Sequence, residues 1–131
     1  MPGYEGAVES VKIQDGILEI DTIGDAGIQG ICGSGLIDLL AELRKSNLMT
    51  ELGVYSNGDN EYIFSEKENM ALYRSDISAL AQAKSANYCG QYLALRHFGA
   101  PISKISKLYL AGGFANYINS SNARDIGFIA N

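Results

Sequence analysis

The sequence predicts an α/β domain, and three patterns support this fold class. Alternating apolar and polar residues on either side of a turn signal predict a β-hairpin near the start of the chain. Two later segments carry apolar residues at helical spacing, and an apolar run after the second of them predicts a further strand. Of the 131 residues, 47% are apolar, so residues 1–131 are expected to form a single domain with a buried core.

The first predicted element is the hairpin. Residues 7–13 alternate between apolar and polar side chains, which places Val11 and Ile13 on one face. Residues 14–16, with the sequence QDG, form a turn signal, and the alternation resumes over residues 17–23.

A glycine-rich turn then opens the first predicted helix. The turn is GICGSG, residues 30–35, and the helix covers residues 36–43 and ends near Asn47, with leucines at positions 36, 39, 40 and 43. Free N–H groups at a helix start suit an anion, and glycine lets a phosphate approach the backbone. A tight strand-to-helix turn is the commoner explanation, because the Lys-Ser/Thr pair of a P-loop is absent.

Two short strands, residues 62–64 and 70–73, are predicted on either side of a charged turn. A long helix follows over residues 75–98. Ser75 and Asp76 form its start signal, and Gly99 and Pro101 form its stop signal.

Lys84 is the unusual residue of this long helix. It lies in the middle of an apolar stripe. The lysine either snorkels along the stripe to water or has a partner at a functional site. The stripe consists of Ile77, Leu80, Ala81, Tyr88, Tyr92 and Leu95. A second face carries only small residues, at positions 79, 83, 86, 90 and 94, and predicts the close approach of another secondary-structure element.

The last strand is predicted over residues 107–111 and leads directly into Gly112 and Gly113. Open α/β sheets bind ligands at the carboxyl ends of such strands, and two missing side chains would let a flat group lie against the backbone. A plain turn after the strand explains the same glycines. Asn116 and Asn119 suit turn or cap positions, and residues 119–121 are expected to cap a short helix that runs through Ile126.

Charge and cysteine content exclude several classes of partner. The net charge is −5, and lysine and arginine are evenly scattered, which argues against a nucleic-acid partner or an anionic membrane surface. Cys32 and Cys89 form no CxxC pair, so no metal site is indicated and both are expected to be small buried thiols. The longest apolar runs are shorter than a membrane-spanning helix, and a cytoplasmic location is expected.

Three segments together resemble the closing half of the actin-like ATPase domain in the reductive activators of corrinoid proteins. They are GIQGICGSGLIDLLAELRK, SDISALAQAKSANYCG and ISKLYLAGGFANYINSSNARDIG. The resemblance covers essentially the whole chain and implies a ribonuclease-H-like lobe of the ASKHA (acetate and sugar kinase/Hsp70/actin) type, with a mixed sheet and flanking helices. The chain is then expected to be the C-terminal lobe, excised from a longer protein.

The resemblance also implies a nucleotide site. Gly112 and Gly113 would form the adenosine-binding turn, with Asn116 in the same turn. Gln82 and Lys84 would face the nucleotide from the long helix. The start of the first helix, Gly33, Ser34 and Gly35, would lie beside the phosphates. No catalytic residue or metal ligand is implied within this chain.

For the full-length protein, the resemblance implies ATP with Mg²⁺, held by loops of the preceding sequence, and a [2Fe–2S] cluster in an N-terminal ferredoxin domain. Implied partners are the N-terminal lobe of the same chain and the corrinoid protein of a methyltransferase system, which is returned from cobalt(II) to cobalt(I). The resemblance does not decide whether the full-length protein forms a homodimer. The chain alone is expected to be inactive. Two alternatives remain: the C-terminal lobe of a sugar or acyl kinase, and a non-catalytic interaction module.

Overall fold

A computed structural model describes residues 3–129, which form two small sheets and three α-helices. The strands are β1 (Ala7–Gln14), β2 (Ile17–Thr22), β3 (Gly30–Ile31), β4 (Glu61–Ser65) and β5 (Met70–Tyr73), and the helices are α1 (Gly33–Lys45), α2 (Arg74–Phe98) and α3 (Ser120–Asp125). None of the helices in the described range has both the length and the hydropathy to cross a bilayer.

The first sheet is mixed and has the strand order β2–β1–β3. β1 and β2 form the predicted antiparallel hairpin, in which Val11 lies opposite Ile20, and β3 pairs in parallel with the start of β1. A register irregularity between Val8 and Ser10 shifts the alternation of β1. As a result Val8 and Val11, three positions apart, are both buried.

α1 lies on β1 and supplies much of the core, including the fully buried Leu39 and Leu43. The helix begins at Gly33 rather than at residue 36, so the predicted glycine turn forms its first helical turn. This is tolerated because the first N–H groups of a helix have no intrahelical partner in any case. Cys32 has extended backbone and occupies the N-cap position.

The second sheet is the predicted hairpin of β4 and β5, with antiparallel pairing of Tyr62 opposite Leu72. Tyr55 fastens it to the preceding loop because its hydroxyl donates to the Leu72 carbonyl oxygen over 2.6 Å. Burial raises the pKa of Tyr55 to about 12, so this hydroxyl remains a donor at neutral pH.

α2 has nearly the predicted bounds, but its apolar stripe is poorly covered. The Asp76 carboxylate accepts the Tyr73 N–H over 3.0 Å at the start, and Gly99 ends the helix in the left-handed conformation, with φ of 74°. No residue of α2 is fully buried, and Tyr88 and Tyr92 are 51% and 55% exposed. The neighbour predicted for the small-residue face is not found among residues 3–129: a Cβ on Gly90 would have nothing within 4 Å.

The strand predicted over residues 107–111 was wrong. This segment has no regular structure, and within the described residues its backbone hydrogen-bonds to no other segment. Leu108 and Leu110 are 49% and 41% exposed. A strand needs a neighbour to satisfy its backbone groups, and the described part of the chain provides none here. Gly112 and Gly113 therefore lie in an exposed turn and not at the end of a buried strand.

The end of the chain forms α3 as predicted. The Asn119 side chain caps the helix by accepting the N–H groups of Ser121 and Asn122 over 3.0 and 3.2 Å. The prediction of two buried thiols was wrong for Cys89, which is exposed on α2, while Cys32 is partly buried. Helix α2 is too poorly covered to bury a side chain at position 89.

Candidate functional site

A cavity of about 380 Å³ lies between the start of α1 and the turn that follows Gly112. Three residues predicted from the sequence line it together: Gly33 and Ser34 at the start of α1, and Gly113 in the turn. The other lining residues are Gly3, Glu9, Ile23, Cys32, Phe114 and Tyr117. The folded chain thus brings together two glycine-containing segments about 80 residues apart in sequence.

The glycines of α1 permit close packing on two sides. A Cβ on Gly35 would lie 2.2 Å from the carbonyl oxygen of Val8, so only glycine lets α1 approach β1 this closely. A Cβ on Gly33 would lie 2.7 Å from Cε2 of Phe114. The tight strand-to-helix turn therefore accounts for Gly35 without a ligand, whereas Gly33 makes room for the Phe114 ring of the later turn.

The start of α1 also presents polar groups. Among residues 3–129 no side chain caps the helix, and the Cys32 N–H donates to the Val8 carbonyl oxygen over 3.0 Å. Ser34 is buried, with its Oγ 3.1 Å from the Sγ of Cys32. Unpaired N–H groups at a helix start carry partial positive charge, which favours an acceptor or an anion.

Gly112 and Gly113 differ from the α1 glycines because their missing side chains face open space. A Cβ at either position would meet no atom within 4 Å. Gly112 has φ of 102°, which a side chain would strain, but Gly113 has right-handed helical backbone, with φ of −56° and ψ of −41°. Neither packing nor backbone conformation within the described residues requires glycine at position 113.

The remaining predicted residues do not line this cavity. Asn116 lies at the end of a short 3-10 turn, Phe114–Asn116, and its N–H donates to the Gly113 carbonyl oxygen over 3.3 Å. Gln82 is exposed on α2. Lys84 lines a separate cavity of about 140 Å³ with apolar residues that include Leu80. Its Nζ would lie 3.2 Å from a Cβ built on Gly127, just after α3.

Sequence reasoning missed the side chains that give the cavity its chemical character. Phe114 and Tyr117 supply aromatic surface, and the Phe114 ring packs edge-on against Phe128 with centroids 6.1 Å apart. Glu9 supplies a carboxylate. Glu9 could not be identified from the sequence, because the register irregularity in β1 changes which side chains share a face. Phe114 could have been identified, because an aromatic residue directly follows two glycines.

A polar network joins α3 to α1. Asn122 and Asp38 are buried, and the Asn122 Nδ2 donates to Asp38 Oδ1 over 2.6 Å. Lys45 Nζ donates to Asn122 Oδ1 over 2.6 Å and to Glu42 over 3.0 Å, and it lies 3.5 Å from Asp125. Burial raises the pKa of Asp38, although the hydrogen bond from Asn122 opposes this. Burial opposes the charged form of Lys45, but its bonds to Glu42 and Asp125 outweigh that effect and raise its pKa.

The comparisons with known proteins agree with one another. The family model described as the C-terminal domain of RACo, the ASKHA domain, matches residues 1–131. The corrinoid activation enzyme RamQ of Eubacterium limosum is 29% identical over 153 residues, an alignment that covers 98% of this chain and 26% of RamQ. A solved structure of a reductive activator for corrinoid, iron-sulfur protein is 30% identical and superposes with a TM-score of 0.85 over 98% of this chain and 24% of that one.

The chain therefore spans about a quarter of the length of these relatives. The α/β organisation, with a mixed sheet and flanking helices, agrees with the predicted fold class. The match of the family model to the whole chain decides the assignment: the chain belongs to the family of the RACo C-terminal ASKHA domain.

Proposed function

We propose that this chain is the nucleotide-binding lobe of an ATP-dependent reductive activator. The full-length protein would return the cobalt(II) corrinoid protein of a methyltransferase system to the cobalt(I) state. Membership of the RACo C-terminal family carries this proposal, and the names of both relatives, a corrinoid activation enzyme and a reductive activator, support it.

In this proposal the adenosine lies in the cavity beside Gly113. The cavity volume falls within the range of small-molecule sites, and its aromatic walls and open glycine suit a flat base. The Glu9 carboxylate can accept hydrogen bonds from the sugar hydroxyls. Gly112 gives the turn its left-handed backbone, and Asn116 closes it.

The phosphates would extend along the start of α1 and away from Glu9, since like charges repel. The N–H groups of Gly33 and Ser34 suit phosphate oxygens there, and Gly35 holds this end of the helix against β1. No lysine or arginine among the described residues lines the cavity, so the Mg²⁺ ion and the terminal phosphate would need ligands from another lobe. Gln82 is exposed and Lys84 lies in the separate 140 Å³ cavity, so both would reach this nucleotide only through a movement of α2.

A preceding lobe of the same chain would also cover apolar surface that is exposed here. A groove of about 620 Å³ lies between the second half of α2 and the irregular segment after Pro101, with Leu95, Ile105 and Leu108 among its lining residues. Nucleotide binding and hydrolysis would move the two lobes relative to each other. The chain contains only two cysteines, which cannot supply the four ligands of a [2Fe–2S] cluster, so that cluster would belong to a separate domain.

The test is ATP-dependent reduction of a cobalt(II) corrinoid protein by the full-length protein with an electron donor, followed by the absorbance of cobalt(I). Reduction should require ATP, and the 131-residue chain alone should hydrolyse ATP no faster than buffer, because it lacks ligands for Mg²⁺ and the γ-phosphate. Reduction at the same rate without ATP would contradict the proposed activity. Sustained ATP turnover by the isolated chain would contradict its assignment as half of a nucleotide clamp.

A further inference from the structure

The Asp38–Asn122 pair is a buried side-chain hydrogen bond between α1 and α3. The two side chains are only 5% and 3% exposed, and 2.6 Å separates the amide nitrogen from the carboxylate oxygen. Hydrogen bonds to a charged group in such surroundings are stronger than those between neutral groups. In the described part of the chain, no buried side-chain nitrogen or oxygen lacks a partner, so the network is fully satisfied.

The groups around the pair are bonded as well. The Glu42 carboxylate, one turn after Asp38, accepts the Ile13 N–H of β1 over 3.0 Å, which ties α1 to the sheet. The Asn122 side-chain oxygen accepts from Lys45, seven positions after Asp38 on the same face of α1. The amide of Asn122 therefore bridges two points of α1, with its nitrogen at Asp38 and its oxygen at Lys45.

α3 depends on such contacts because it is short. It has six residues, fewer than an isolated helix needs for stability, and the turn before it has no fully buried residue. Only three residues, 117–119, lie between the end of the 3-10 turn at Asn116 and the start of α3 at Ser120. Where α3 docks on α1 therefore determines where Gly113 and Phe114 lie relative to Gly33.

We propose that Asn122 is a positioning residue: its two hydrogen bonds to α1 hold α3, and with it the Gly112–Gly113 turn, opposite the start of α1. This inference rests on the proposed function only in naming a nucleotide as what the turn receives. If Asn122 only stabilised the fold, any other substitution that destabilised α3 by the same amount would disturb the Gly112–Gly113 turn to the same extent.

A swap of the two side chains separates these roles. In Asn122→Asp two carboxylates face each other, and α3 should loosen. In the double variant Asp38→Asn with Asn122→Asp the donor and acceptor are exchanged. The new asparagine can donate to the new aspartate, and Lys45 keeps a carboxylate acceptor. The control is Ile126→Ala, which removes buried apolar surface next to α3 and leaves the network intact.

The measurement is amide hydrogen exchange of residues 112–117 in the 131-residue chain, together with its thermal unfolding. Exchange of this turn should rise about tenfold or more in Asn122→Asp and return to within about twofold of wild type in the double variant. Ile126→Ala should lower the melting temperature with a smaller rise in turn exchange. The inference is overturned if the turn exchanges as fast in the double variant as in Asn122→Asp. It is also overturned if Ile126→Ala, with the same loss of stability as Asn122→Asp, raises turn exchange by the same factor.

ATP affinity of the same variants in the full-length protein separates this inference from the proposed function. Weaker binding in Asn122→Asp that the double variant restores would support both. Turn exchange that follows the swap, beside an ATP affinity that no variant changes, would support the positioning role and contradict the proposed nucleotide site.

Discussion

Replacement of Gly113 by valine should weaken ATP binding and leave the fold almost unchanged. The backbone at this position is right-handed helical, which valine can adopt, and a Cβ there would meet no atom within 4 Å. The expected change in unfolding free energy is therefore within about 0.5 kcal/mol, as for an unconstrained surface position. Because Gly113 lines the cavity in which we place the adenosine, we expect the valine side chain to enter it.

The loss of affinity can be estimated from the cost of overpacking. Forcing extra methyl groups into an occupied site costs about 1–3 kcal/mol. This corresponds to a decrease in affinity of roughly five- to 150-fold. Isothermal titration of the full-length protein with ATP measures this decrease, and thermal unfolding of the same samples measures the effect on the fold.

Gly112→Ala is the matched control. Its Cβ would also enter open space, but φ of 102° should strain the backbone by about 1–3 kcal/mol, so this neighbour should lose stability where Gly113→Val does not. The reasoning is refuted if Gly113→Val binds ATP as tightly as wild type. A large fall in its melting temperature with unchanged affinity would instead assign this glycine to packing.

Three further variants test separate features of the chain. Gly35→Ala places a Cβ 2.2 Å from the Val8 carbonyl oxygen, and urea unfolding should show a loss of about 1–3 kcal/mol; unchanged stability would mean that α1 is not held this close to β1. Lys84→Met should lower ATP affinity by roughly one to two powers of ten if the ammonium group bonds the nucleotide, whereas equal affinities in titration would mean that Lys84 only reaches water. Asp38→Asn should change the pH dependence of stability. Because the pKa of Asp38 is raised in the folded protein, its contribution to stability is present at the lowest pH and is lost as the pH rises above 3.8. Unfolding curves should therefore show that wild type loses stability relative to the variant as the pH rises through this window. A constant difference across the window would show that Asp38 does not titrate abnormally.

The elements that the sequence predicted correctly are those whose signals are local. The turn between β1 and β2, the leucine spacing of α1, the Gly99 stop of α2 and the Asn119 cap of α3 each act within a few residues. The Asp38–Asn122 bond joins residues 84 positions apart and has no such signal. The only hint was a carboxylate among the leucines of α1, where burial requires a partner.

Much of the site was predictable only as a list of residues, because its assembly depends on packing. The glycines of α1 and of the later turn were each visible in the sequence, but their meeting across one cavity depends on where α3 docks. The sequence also could not distinguish the roles of Gly35 and Gly113. Gly35 must be glycine because a Cβ there would clash with the Val8 backbone, whereas no described residue lies close enough to Gly113 to exclude a side chain. That distinction now identifies Gly113 as the position where a missing side chain most favours a ligand.

The wrong prediction over residues 107–111 has a physical cause that bears on the whole protein. The apolar pattern of a segment reflects its burial in the functional protein. Leu108 and Leu110 have the pattern of a buried strand, although they are 49% and 41% exposed here. Tyr88 and Tyr92 on α2 show the same mismatch, and among residues 3–129 the small-residue face of that helix has no neighbour at Gly90. Leu95 lines both the 620 Å³ groove with Leu108 and a second cavity with Tyr88 and Tyr92. Under the proposed function, a second lobe that covered this groove would bury Leu95 and Leu108, and residues 107–111 would gain a neighbour for their backbone groups.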